Sequence, residues 1–397
     1  MADDSRDKYD LVVIGGGPAG SAAAITAAKN SLRVCLIDKQ IFPRNKLCGG
    51  LITQRSKSIF EKVFEKNWDP QIINYSNEVS FYSEGKLLSE LNGYSRLYFS
   101  MRIDFDHYLL ELAREAGSQL ILGKSVDEID FSQNLVKLAD GAQIEYDSLV
   151  GADGVNSTVA KLLFGSSFNK KTIGFGLEVE VPRTDLPSQS EKVEIDFGIA
   201  VWGYGWVFPK KDSYTIGVGG IHRINPDLKS RLAYYLSLKG LNVDNYKVKG
   251  QFIPFGDYRK SPGRGNVLLC GDAAGLVDPI TGEGIAYAME NGHIAARSIC
   301  MSINSSGRDA ALALYKEDYL KISNLIKQAK FWRLFIFPQI IRKSFSWAFA
   351  DAGTLQRGYL DILAGKHEYN ALYRLFLIQA WRGIKKLARK IFRRDTK

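Results

Sequence analysis

The sequence predicts an α/β fold: a parallel sheet assembled from separated stretches of chain, an inserted antiparallel sheet, and a helical C-terminal region. Three observations predict it. Apolar runs beginning at Leu11, Arg33, Ser148 and Asn266 each lead into glycine or an acid, as strands buried on both faces of a parallel sheet do. The stretches 76–99 and 171–260 instead alternate apolar residues with Tyr, Phe and Thr, the pattern of half-buried antiparallel strands. From residue 306 onward the chain reads as helices rich in aromatics.

The balance of 45% hydrophobic and 24% charged residues over 397 positions is that of a globular protein of two or three domains. It excludes a disordered, collagenous or disulfide-scaffold chain. The net charge of +10 points to an anionic partner. Cys35, Cys48, Cys270 and Cys300 form no Cys-x-x-Cys pair, so a reducing compartment is expected and no metal site is. His107, His222, His293 and His367 have no metal spacing. The segment Ala2 to Asp7 is polar and acidic, unlike a secretory signal. No apolar run reaches the 18 or so residues of a spanning helix; the run at Phe335 to Ile341 is broken by Pro338. The expected localisation is cytoplasmic, with peripheral attachment to a membrane.

The first element is a strand, Leu11 to Ile14, followed by Gly15-Gly16-Gly17-Pro18-Ala19-Gly20, a helix from Ser21 to Ala28, and a second strand from Arg33 to Ile37 that ends in Asp38. Glycines let the backbone turn tightly and approach a pyrophosphate. The helix N-terminus offers free N–H groups to the anion, and Asp38 can accept from a ribose hydroxyl. This is a Rossmann-like dinucleotide unit. Met101 to Ala116 reads as an amphipathic helix, with Asp104 as its N-cap and Gly117 as its stop. No second Gly-x-Gly-x-x-Gly follows, so no separate nicotinamide domain is expected.

Two later segments point to FAD. One is the strand ending Gly-Ala-Asp153-Gly154; the other is Asn266-Val-Leu-Leu-Cys-Gly271-Asp272-Ala-Ala-Gly275, which continues through Gly282 and Gly284 into a helix. The three segments in this order resemble the p-hydroxybenzoate-hydroxylase-like FAD proteins. The resemblance implies that Asp272 binds the ribityl chain and that Gly282 and Gly284 let backbone N–H groups approach the flavin. Asp153 is expected chiefly to hold loops together beside the cofactor. Between Ile41 and Gly50 lies Phe-Pro-Arg44-Asn-Lys46-Leu-Cys48-Gly49-Gly50, and further on Tyr204-Gly-Trp206-Val-Phe208-Pro209. Together these are similar to the signatures of the geranylgeranyl reductase family, over roughly residues 8–300. The second signature departs at its first position, where this chain has Val201.

That resemblance implies reduction of isolated C=C bonds of an isoprenoid lipid, by hydride from reduced flavin N5 to one carbon and a proton to the other. It implies cofactor contacts from Gly15, Gly17, Pro18, Ala19, Gly20, Asp38, Lys39, Arg44, Cys48, Gly49, Arg102, Val126, Asp153, Gly271, Asp272, Gly282, Gly284 and Ile285. Arg44 and Lys46 are expected where the cofactor's phosphates pass. Tyr204, Trp206 and Phe208 alternate, so as a strand they share one face, suited to a flat flavin and an aliphatic chain. Cys48, Tyr204 and Trp206 are the candidate catalytic residues. Tyr204 is a slow proton donor at its ordinary pKa near 10. The electron donor is open among NAD(P)H, reduced ferredoxin and a quinol, so an electron-donor protein is a candidate partner.

The expected FAD-binding domain takes 1–75, 100–170 and 261–305; the substrate domain takes 76–99 and 171–260; the helical region runs from 306 to 397. Its end interleaves Leu375, Trp381, Ile384, Leu387 and Ile391 with Lys385, Lys386, Arg389, Lys390, Arg393 and Arg394. This basic amphipathic pattern suits an anionic membrane surface. No nucleic-acid recognition module accompanies it, so no nucleic acid is expected. The competing functions are an FAD-dependent monooxygenase or halogenase acting on an aromatic compound, and a non-catalytic lipid-binding or electron-transfer flavoprotein.

Overall fold

The computed structural model describes residues 7–186, 190–305, 310–351 and 353–371. In chain order they form β1 (Asp7–Ile14), α1 (Pro18–Lys29), β2 (Val34–Asp38), β3 (Leu51–Ile52), α2 (Gln54–Phe64), β4 (Asn74–Ser83), β5 (Lys86–Phe99) and α3 (Arg102–Glu115). Then come β6 (Gln119–Leu122), β7 (Val126–Asp130), β8 (Leu135–Leu138), β9 (Gln143–Gly151), α4 (Thr158–Phe164), β10 (Gly174–Pro182), β11 (Val193–Phe197), β12 (Tyr204–Pro209) and β13 (Ser213–Ile221). The chain continues through α5 (Leu228–Ser237), β14 (Lys249–Ile253), β15 (Gly263–Arg264), β16 (Val267–Leu269), α6 (Ile285–Ser305), α7 (Ala311–Trp332), α8 (Gln339–Asp351) and α9 (Gly353–Leu363).

Two eight-stranded sheets organise these elements. The first runs β15-β16-β9-β1-β2-β6, with the antiparallel β8 on β9 and β7 on β8. Its centre is parallel, with Val13 opposite both Leu36 and Val150. Leu11, Val12 and Val13 are fully buried, which is why β1 shows an unbroken apolar run and no alternation. The helix α1 begins at Pro18, three residues before the sequence expectation, because proline at the first helical position needs no N–H partner.

The second sheet runs β14-β10-β13-β12-β11-β4-β5-β3. Every neighbouring pair is antiparallel except β11 with β4. It recruits Leu51 and Ile52, which the sequence expectation assigned to the nucleotide-binding stretch. The side chains Val179, Val181, Ile216 and Val218 pack under Leu232 and Leu236 of α5. On the opposite face, Phe81 and Phe197 meet Phe349 and Tyr359 edge-on, so α8 and α9 close over that side.

Asp104 is not the N-cap of α3. Met101, in extended backbone, occupies that place, and Asp104 lies in the first turn, where its charge still favours the helix dipole. Gly117, at φ +102°, ends the helix as expected. Among the described residues no helix is long and apolar enough to cross a membrane. The basic amphipathic stretch from Leu375 to Arg394 lies outside the described residues.

Candidate active site

A cavity of about 600 Å³ lies between the two sheets. At one end stands the loop Gly15–Gly20. Gly15 has φ +107°, and a Cβ at Gly20 would sit 1.8 Å from the Gly15 carbonyl oxygen, so only glycine closes this turn. Asp38 holds the loop: its Oδ2 accepts from Gly16 N–H at 2.7 Å. No side chain caps α1, leaving first-turn N–H groups for an anion. Arg44 Nη2 would be 3.8 Å from a Cβ at Gly17. Arg44 Nη1 is buried; it approaches Asp106 at 3.1 Å as an ion pair but makes no hydrogen bond.

Deeper in, Arg102 is buried, not on the surface, and pairs with both oxygens of Asp106 at 2.6 and 2.8 Å. Lys46 lies close to this pair. It lines the cavity within the electrostatic reach of Asp272, Arg102 and Asp106, and burial pushes its ammonium pKa down against the pull of Asp272. Burial raises the Asp272 pKa, opposed by Lys46 and Arg102. Asp153 ties its own loop to the start of α4: its Oδ2 accepts from Thr158 N–H at 2.7 Å and Val159 N–H at 3.2 Å. Lys39, Val126, Gly282, Gly284 and Ile285 also line the cavity. Gly271 lies just behind its wall at φ +59°, against Ala19 and Ala288.

The turn 278–284 is clamped from two sides. Asp278 Oδ1 accepts from Ile280 and Thr281 N–H, and both its oxygens accept from the hydroxyl of Tyr369 at 2.9 and 2.8 Å. Tyr204 donates its hydroxyl to the Thr281 carbonyl at 2.7 Å. Burial first, then Asp278, pushes the Tyr204 pKa up. The phenol therefore holds its proton tightly and acts here as a tether for the turn.

The other end of the cavity is the second sheet. Tyr204, Trp206 and Phe208 share one face of β12, with ring centroids 5.9 and 6.3 Å apart in sequence. The indole of Trp206 lies across β13: a Cβ at Gly217 would come within 2.3 Å of it. Gly176 and Gly219 flank the same ring. Cys48 and Gly49 lie at the edge of this floor, and a Cβ at Gly49 would strike Phe208 at 2.7 Å. Phe252, Ile253, Phe255 and Leu363 add apolar wall, with Gln251 and Glu178 beside them.

The sequence reasoning missed Glu178, Lys210, the glycine floor and Leu363. The signal for Glu178 was local. In Gly174-Phe-Gly-Leu-Glu178-Val-Glu-Val, strand alternation puts Gly176, Glu178 and Glu180 on the face opposite the apolar residues.

Residues 9–175 match the family model for pyridine nucleotide-disulphide oxidoreductases, and 256–329 match an FAD binding domain. The chain is 31% identical over 312 residues to a menaquinone reductase of Mycobacterium tuberculosis, covering 73% of this chain and 76% of that one. It is 29% identical to a geranylgeranyl diphosphate reductase of Rhodobacter capsulatus, covering 79% and 80%. The chain belongs to the geranylgeranyl reductase family. A geranylgeranyl bacteriochlorophyll reductase-like protein from Thermoplasma acidophilum shares the fold, with a TM-score of 0.73 over 91% of this chain and 92% of that one at 22% identity.

As a member of the geranylgeranyl reductase family, the protein is an FAD-dependent oxidoreductase. The residues present fit FAD. The Arg44 guanidinium, whose Nη2 reaches the uncapped start of α1 at Gly17, suits a pyrophosphate, and Asp38 at the end of β2 suits a ribose. Asp272 faces the cavity with cations nearby, and the Gly282–Ile285 turn opens α6 towards it.

Proposed function

We propose that the protein saturates C=C bonds in the prenyl chain of an isoprenoid lipid. The observation that carries this reading is the shape and lining of the cavity. It continues from the dinucleotide loop into a slot walled by Trp206, Phe208, Phe252, Ile253, Phe255 and Leu363. An isoprenoid has no polar handle near its alkene. Apolar walls must position it, at about 0.8 kcal/mol per buried CH2. Menaquinone and geranylgeranyl diphosphate, for which the relatives are named, both carry such a chain.

When bound, reduced FAD supplies two electrons and one hydrogen. The chain's own residues do the rest. Trp206, seated on Gly217, fixes the floor of the slot. Tyr204 and Asp278 hold the turn 278–284, whose backbone would meet the cofactor. The Cys48 N–H anchors Glu178 at the edge of the floor, and Leu363 at the end of α9 completes the apolar wall.

Pre-reduced enzyme mixed anaerobically with a geranylgeranyl lipid should reoxidise as saturated product appears. Flavin that stays reduced with every prenyl lipid tried, but hydroxylates or halogenates an aromatic compound in air, establishes the oxygenase reading instead. The finer partners belong to the same proposal. The basic stretch from Leu375 to Arg394 docks the enzyme on anionic membranes, with each basic residue contributing about 1 kcal/mol. Flotation with anionic liposomes should then weaken at high salt, and a chain ending at Tyr369 should not float. Comparing NAD(P)H, reduced ferredoxin and a quinol as anaerobic reductants identifies the electron donor.

A further inference from the structure

We infer that Glu178 delivers the proton that completes alkene saturation. The inference rests on the proposed alkene reduction and assigns the group that reaction leaves open. Tyr204 is tied to Thr281 and holds its proton too tightly, so the donor must be sought elsewhere on the cavity wall.

Glu178 is 5% exposed and lines the cavity. Its place in the sheet is set by register. Trp206 on β12 pairs with Gly217 on β13, which pairs with Glu178 on β10. The carboxyl therefore lies straight across the glycine floor from the indole. One oxygen, Oε1, accepts from Cys48 N–H at 3.0 Å. The other, Oε2, is buried with no hydrogen-bond partner. A buried carboxyl oxygen with no hydrogen-bond partner is costly as an anion and tolerable as an acid. Trp206 Nε1 is likewise buried without a partner.

The charges around it fit a group that cycles between acid and anion. Burial, and then the neighbouring Glu180 on the same strand, raise the Glu178 pKa to about 7, against Lys210 from the end of β12, the Cys48 N–H and Lys249 of β14. Glu180 is itself engaged by Ser213 and Thr215 on β13. Lys210 is 2% exposed, with its Nζ near the Ser100 carbonyl at 3.4 Å. It stands ready to balance the carboxylate left behind.

The Glu178 O–H bond breaks and its proton forms a C–H bond to one alkene carbon, using the π electron pair. The second carbon receives hydrogen with an electron pair from the two-electron reductant, reduced FAD, which is oxidised. Glu178 remains as carboxylate and regains a proton from water.

The test uses full-length holoenzyme and its E178Q variant, whose amide oxygen still accepts from Cys48 N–H but which has no acidic proton. Pre-reduced protein is mixed anaerobically with a geranylgeranyl lipid between about pH 5 and pH 9. The wild type should slow as pH rises through about 7. E178Q should be slower by about 100-fold or more at low pH, with that pH dependence gone and FAD content unchanged; E178D should recover part of the rate. Infrared difference spectra of the oxidised, substrate-free proteins should show a protonated-carboxyl band, present in wild type and absent in E178Q, that disappears near pH 7. A variant within about threefold of wild type, an unchanged pH profile or no such band overturns the assignment and leaves alkene reduction standing. A wild type that reduces no prenyl lipid overturns both.

Discussion

The two ends of the cavity are built on opposite principles. At the dinucleotide end the backbone does the recognising: glycines bring the Gly15–Gly20 loop close, and the first-turn N–H groups of α1 face the cavity. At the substrate end glycines serve the reverse purpose. Gly176, Gly217 and Gly219 vacate the floor so that one large side chain, Trp206, can lie flat on the sheet. Backbone recognition tolerates almost no substitution. Side-chain walls tolerate more, and what they lose is positioning, not cofactor.

The largest effect should come from breaking the backbone end. Gly20→Ala places a methyl 1.8 Å from a carbonyl oxygen, a clash that must move the loop. We expect a loss of at least about 4 kcal/mol and a colourless protein, read by thermal melting and by flavin absorbance. Trp206→Ala should cost about 3–5 kcal/mol and reduce alkene turnover by about 100-fold, with FAD still bound at one per chain. If Trp206→Ala loses FAD as readily as Gly20→Ala, the division between the two ends is wrong.

The third effect sharpens the electrostatic contrast. Burial raises Glu178 and, on the opposite face of the same sheet, Asp196 to about 7. A carboxyl whose folded pKa lies above its unfolded value contributes stability that is complete below the unfolded pKa, near 4.5 for Glu178, and is lost as pH rises towards 7. Each such group is worth at most about 3–4 kcal/mol, at 1.36 kcal/mol per unit. Denaturant midpoints of wild type should therefore fall from about pH 4.5 to 7, and E178Q with D196N should flatten that slope. The smallest effect belongs to Tyr204→Phe, which frees the Thr281 carbonyl at about 1–2 kcal/mol. It should weaken FAD retention by about tenfold or less, measured by dilution, while Trp206→Ala leaves retention alone.

The dinucleotide end was legible because its parts are consecutive. Gly15, Gly17 and Gly20 must follow one another for the turn to close, and Asp38 follows within one strand–helix–strand unit. The aromatic face of β12 was legible for the same reason, through alternation along a single strand. Glu178, Lys210 and Leu363 were not, because their meeting depends on register between strands and on helices more than 100 residues downstream. Lys46 illustrates the limit. Its spacing from Arg44 suggested shared work on phosphates, and what the spacing did not show is its electrostatic neighbours Asp272 and Arg102, which come from distant segments. The Asp104 reading failed by three residues because a capping residue is defined by backbone torsion, which Met101 supplies.

The glycine floor has a consequence for how the molecule breathes. Gly217, Gly219 and Gly220 follow closely along β13, and Gly174 and Gly176 stand on its neighbour β10. Each glycine in a strand costs about 0.5–1 kcal/mol in chain entropy relative to alanine and offers no cross-strand side-chain pair. The ladder between β10 and β13 is thus thinner than the centre of the one between β1 and β9, where Leu11, Val12 and Val13 face Ser148, Leu149 and Val150 and the five apolar residues among them are fully buried. Amide hydrogens of β13 should exchange with solvent through local opening long before those of β1, so the sheet that seats the indole is also the sheet that yields first when a long aliphatic chain threads in or withdraws.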